Sequence, residues 1–139
     1  LKFFFTACGR ASLAAGNLDK ALQQFQKAVQ YDPADPELLV LLADTHFTGG
    51  DLAQGAVYLE KAVSIDKTHA KYWEILGDAL FKAQNYDQGA TAYENCFIAA
   101  PGNIQLLKKI GDCYLANGQM EAAKEAYQQY KNALDNSQG

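Results

Sequence analysis

The feature that most restricts this chain is a recurrence of residue size at a fixed step of 34 positions. Gly9, Ala43, Gly77 and Gly111 form one column, and Ala21, Gly55, Gly89 and Ala123 a second. Phe25, Leu59, Tyr93 and Tyr127 form a third, and Ala28, Ala62, Cys96 and Tyr130 a fourth. A further glycine recurs at Gly16, Gly50 and Gly118, with Gln84 in its place in the third unit. Such a period marks stacked units, each one supersecondary element that cannot bury its apolar face alone. The columns divide a single array spanning 1–139 into units 2–35, 36–69, 70–103 and 104–137.

Each unit reads as two helices. In the third, Trp73, Leu76, Gly77 and Leu80 fall on one helical face at i, i+3, i+4 and i+7. Ala90, Tyr93, Cys96 and Phe97 do the same in its second half. Asp35-Pro36 is a helix start, an N-cap acceptor followed by proline in the first turn. Pro33 and Pro101 close the helices before them. No segment alternates apolar and polar residues, so the class is all-α without strands. Small residues in the Gly9 column let the two helices of a hairpin approach closely, and large residues in the Phe25 column fill the space between them.

These residues resemble the tetratricopeptide repeat family, whose pattern runs aromatic, leucine-glycine, tyrosine, then alanine, aromatic and proline. The third unit matches best, with Trp73, Leu76, Gly77, Tyr93 and Pro101 in register, Leu80 in place of the tyrosine and Gly89 in place of an alanine. The second unit matches least, with Ala43 for glycine and Lys67 for proline. The resemblance covers nearly the whole chain. It implies a right-handed superhelical solenoid of antiparallel helix hairpins. Its inner groove, lined by the first helices, would take a peptide or a partner's helix. Relatives that grip a chaperone's C-terminal carboxylate use lysine, asparagine and arginine on those helices. The matching places here are Thr6, Arg10, Leu41, Lys71 and Ile75, of which only Lys71 has the required type, so that clamp is not expected.

Placed in register, the groove is expected to carry Arg10 and Leu13 from the first unit, and Glu37, Val40, Asp44 and Phe47 from the second. The third supplies Lys71, Glu74, Asp78 and Phe81, and the fourth Lys108, Asp112 and Leu115. Asp44, Asp78 and Asp112 recur at the period and form an acidic ladder beside an apolar strip of Leu13, Phe47, Phe81 and Leu115. Aromatic anchors next to a line of negative charge suit a partner segment that is both basic and apolar. The second unit carries five acidic side chains against two basic, the third four against two. Two plainer readings stay open: a solvated ladder, with Arg10 paired to Asp44, and a strip that is packing between helices.

The net charge of −4 argues against a general nucleic-acid binder, which needs a basic face. No apolar run approaches the ~20 residues of a membrane span, so direct membrane insertion is not expected. The three cysteines, Cys8, Cys96 and Cys113, show no metal spacing and occupy small-residue positions. A cytoplasmic location is the default, with a periplasmic one left open. His46 and His69 complete no ligand set or catalytic group, and no phosphate loop is present, so neither enzyme activity nor a cofactor or metal is expected. At the end of the chain, Lys124 and Lys131 replace the apolar residues that earlier second helices carry at Leu22, Val29, Val63 and Phe97. The array is therefore expected to end here, with a frayed polar tail over 135–139. The uncapped apolar start at Leu1, Phe4 and Phe5 suggests the C-terminal part of a longer protein. The leading function is a protein-interaction module. Its rivals are head-to-tail self-assembly into homo-oligomers and a substrate-recruiting region of a larger enzyme.

Overall fold

The computed structural model of the chain describes residues 1–138, and every element among them is an α-helix. The chain divides into two units. The first, Leu1–Lys67, holds α1 (Lys2–Ala14), α2 (Leu18–Tyr31), α3 (Pro36–Thr48) and α4 (Leu52–Ile65). The second, from Thr68 onward, holds α5 (Ala70–Lys82), α6 (Tyr86–Ala99), α7 (Gln105–Ala116) and α8 (Met120–Gln138). Within each unit, consecutive helices pair as hairpins, and the second helix of one hairpin packs on the first of the next.

Side-chain caps start several of these helices. Asn17, Asp35 and Asp51 accept from the amides of Lys20, Glu37 and Gln54 at 3.2, 3.0 and 3.1 Å. The turn inside each hairpin is built one way four times. A left-handed residue reverses the chain, at Gly16, Gly50 and Gly118 with φ of 79°, 86° and 79°, and at Gln84 with φ of 65°. The following amide then bonds back across the helix end, Asn17 to Ser12, Asp51 to His46, Asn85 to Leu80 and Gln119 to Tyr114, each at 2.9 Å. Gln84 thus holds a conformation that costs a side-chain-bearing residue about 1–2 kcal/mol.

The hairpin interior explains the size columns. A Cβ on Gly9 would sit 2.4 Å from the Phe25 ring, and on Gly77 or Gly111 2.6 Å from the ring of Tyr93 or Tyr127. The aromatic ring therefore lies directly on the glycine backbone. In the second hairpin the same columns hold Ala43 and Leu59, both fully buried: a methyl returns where the flat ring is gone. The core of the first unit gathers on Ala21, Phe25 and Leu42. That of the second gathers on Tyr93, Cys96, Leu106, Ile110 and Cys113. Cys8, expected among the small buried residues, is only half-buried.

The end of the chain differs from expectation. Residues Asp135 to Gln138 continue α8 rather than fraying, and Gly139 lies outside the described residues. No glycine or proline interrupts α8, so its backbone bonds continue where its side chains are polar. Half-buried Leu134 still anchors the last turns, and Ser137 Oγ donates to its carbonyl at 2.7 Å.

Candidate partner-binding face

The first unit brings few of the expected residues into contact. Arg10 and Glu37 are exposed, Val40 is half-buried, and no Arg10–Asp44 ion pair forms among the described residues. Leu13 packs on the Ala21–Phe25–Leu42 cluster. Phe47 turns into its own hairpin, its ring occupying the space that a Cβ on Gly55 would need, 2.2 Å away. Asp44 is half-buried on α3, and its carboxylate has no hydrogen-bond or ion-pair partner among the described residues. Burial pushes its carboxyl above the usual carboxylate range. The unit's ion pairs lie elsewhere: Lys2 Nζ reaches Asp35 at 2.7 Å and Asp32 at 2.9 Å, tying the start of α1 to the α2–α3 turn. Burial opposes the charge on Asp35, yet its bond from Lys2 holds the carboxyl below the ordinary range. Lys2 is pushed up to about 12, by Asp35 first and Asp32 second.

The second unit concentrates the rest. Glu74 on α5 lies 3.3 Å from Lys71 and 3.2 Å from Lys109 on α7. Lys109 also meets Asp78 at 3.2 Å and sits 5.4 Å from the centre of the Tyr93 ring. Tyr93 in turn donates its hydroxyl to Asp78. Burial disfavours charge on both Glu74 and Lys109. The bond from Lys109 still holds the glutamate below its ordinary value, and Asp78 first and Glu74 second hold the lysine above its own. The Tyr93 phenol is driven well above its usual range, by burial first and by Asp78 second. Of the ladder's two aspartates in this unit, Asp78 is thus neutralised. Asp112 is not: it accepts from Tyr127 Oη at 2.5 Å and has no cation within ion-pair distance among the described residues. Tyr127 is pushed up to about 12 by burial, then by that bond.

Phe81, edge-on to Tyr86 at 5.3 Å, and Asp112 meet at a cavity of about 210 Å³, with Tyr93 and Lys109 as its other walls. Lys108 is exposed, and Leu115 is 47% exposed beyond the socket. The socket therefore offers two aromatic walls, a lysine already shared by two carboxylates, and one carboxylate free to take a cation. Among the described residues no group of His, Cys, Asp and Glu is arranged to hold a metal, and no helix is long and apolar enough to cross a membrane. Sequence register passed over Lys109, the hub of this face. Its column otherwise holds Ala7, Leu41 and Ile75 and carries no polar signal.

The family model for the tetratricopeptide repeat matches residues 12–79 and again 80–138. No curated protein matches the chain. Among solved structures, a crystal structure of MamA superposes with a TM-score of 0.81 at 19% identity, over 98% of this chain and 80% of that one. MamA 41-end from Desulfovibrio magneticus RS-1 gives 0.80 at 20% identity, over 95% and 75%. The first TPR of Spaghetti (RPAP3), bound to HSP90 peptide SRMEEVD, gives 0.71 at 20% identity, over 84% and 95%. At these identities the likeness carries the fold.

Proposed function

The chain belongs to the tetratricopeptide repeat family, and from that premise we propose that it is a protein-interaction module whose α5–α7 face takes a partner segment carrying an apolar residue beside a basic one. The observation behind this is the socket itself. Phe81 and Tyr93 supply apolar walls, and Asp112 is the carboxylate there without an ion-pair partner among the described residues. An apolar side chain seated on the two rings loses water, and a lysine or arginine next to it completes Asp112. The peptide of the Spaghetti structure is acidic. Here Lys71, the one cation at the places matching a carboxylate clamp, is already tied to Glu74, so a basic segment suits this face better.

The test compares the wild-type chain with a Phe81→Ala, Asp112→Asn variant of unchanged circular dichroism. Partners captured from a native lysate are identified, and the bound segment is mapped by peptide truncation. The reading expects captured segments with basic and apolar residues, lost in the variant and weakened by salt. Equal retention by both proteins refutes it.

Head-to-tail docking between copies is a second reading, favoured by Leu1, Phe3 and Phe4 at the start of α1, which are 72%, 81% and 61% exposed. A mass by light scattering that stays monomeric over a wide concentration range removes it.

A further inference from the structure

A second cavity, of about 340 Å³, lies between α6 and α8 with α7 as its floor. At 100° per residue, the α7 side chains that line it, Leu107 and Ile110, point to the opposite side of that helix from Lys109 and Asp112. The floor is apolar: Leu107 and Ile110 are buried, Phe97 is half-buried, and Ile98 stands at the edge 75% exposed. The rim is acidic. Glu94 accepts from the Tyr114 hydroxyl through one oxygen, leaving the other uncommitted, and Glu125 is exposed on α8. Neither carboxylate has a cation within ion-pair distance among the described residues, since the neighbouring Lys124 leans to Glu121 at 3.8 Å. The groove follows α8 from Ala122 to Gln129, two helical turns or about 10 Å.

We infer that this groove is a second docking site, separate from the α5–α7 face, for an amphipathic helix of a partner protein whose apolar stripe is flanked by lysine or arginine. An apolar floor two turns long accommodates anchors at i, i+3 or i+4 and i+7, the spacing by which a helix lies in a groove. An isolated Ile98 in water would need no explanation. Here it edges a concave apolar floor between two carboxylates that have no cation within ion-pair distance among the described residues. Charge complementarity therefore selects the occupant: an acidic or neutral helix leaves Glu94 and Glu125 facing apolar surface, whereas a basic one pairs both.

The test uses a fluorescently labelled synthetic helix with leucines at i, i+3, i+4 and i+7 and lysines on either side, titrated with the full chain. A control peptide carries glutamates in place of the lysines. The inference expects saturable binding of the lysine peptide alone. Ile98→Asp and Glu125→Lys should each weaken it about tenfold. Glu94→Gln, which keeps an acceptor for Tyr114, should weaken it more at low salt than at high. Asp112→Asn, on the far side of α7, should leave it unchanged, which separates this site from the α5–α7 face. Circular dichroism of each variant confirms the fold. Absence of saturable binding, equal binding of the glutamate peptide, or loss of binding in Asp112→Asn with retention in Ile98→Asp overturns the inference. So does a concentration-dependent dimer that Ile98→Asp dissolves, because a second copy would then cover the groove.

Discussion

Gly77→Ala tests the close approach of glycine backbone and aromatic ring inside the third hairpin. The new methyl would lie 2.6 Å from Cε1 and 2.7 Å from Cδ1 of Tyr93, far inside van der Waals contact. Overpacking of this kind costs about 1–3 kcal/mol, and a clash with a rigid, buried ring belongs at the upper end. Displacing the ring also loosens its hydroxyl bond to Asp78, worth about 1 kcal/mol. Alanine returns about 1 kcal/mol through its helix propensity. The net loss is about 3 kcal/mol, read as a lower urea midpoint at constant slope. The second hairpin supplies the compensating change, because Ala43 and Leu59 already fill these two columns. Tyr93→Leu alone, which removes volume and the hydroxyl, should cost about 2 kcal/mol. Together with Gly77→Ala it should cost no more than that, giving a coupling of about 3 kcal/mol or more in a double-mutant cycle. Additive losses, or a Gly77→Ala protein as stable as the wild type, would show that the ring does not constrain the glycine.

Three further outcomes are expected. Gln84→Gly, which relieves the left-handed residue at φ 65°, should raise stability by about 0.5–1 kcal/mol, and a lowered urea midpoint would contradict this. Burial raises the folded pKa of Asp44, so its contribution to stability is present below the unfolded carboxylate range and is lost as pH rises through the folded value. Asp44→Asn should therefore gain on the wild type as pH rises to neutral, with the gap narrowing in acid. Urea midpoints that differ by a constant amount across pH would refute that cause. Cys113 is fully buried and its thiol is pushed up to about 12, by burial first and the charge of Asp112 second, while burial also raises Cys96. A thiol reagent should thus modify half-buried Cys8 first and the other two only on unfolding, and equal rates in the native chain would contradict the packing.

The fold was legible because steric fit repeats at the period. Gly77 facing Tyr93 and Gly111 facing Tyr127 leave the same trace in sequence that they leave in space. The exchange at Ala43 and Leu59 was visible as a weak match in the second unit before its compensation was. Details that depend on side-chain reach were not legible. Lys109 sits one position from Lys108 in an apolar column, yet its long stem carries the charge back to Glu74 and Asp78. Register alone gave Phe47 to the groove strip. The available signal was Gly55, a glycine placed to receive the Phe47 ring. Composition reports which face is wet, not whether the backbone is helical, so the polar end of α8 carries no sign of its helix in sequence.

The tyrosines of the Phe25 column do more than fill space. Each reaches from the interior of its hairpin to fix the aspartate opposite, Tyr93 to Asp78 and Tyr127 to Asp112. The first two hairpins have Phe25 and Leu59 there, without a hydroxyl, and Arg10 and Asp44 are left without such a tether. The two units thus differ in how far their charged groups are preorganised. A ligand meeting Asp112 finds a carboxylate whose rotamer is already set, so little side-chain entropy remains to be lost on binding. One meeting Asp44 must order that carboxylate itself, and it also relieves the unfavourable burial of its charge. Contacts in the second unit should therefore form with a smaller entropic penalty. Contacts at Asp44 should draw their selectivity from charge, because only a cation rewards its ionisation there.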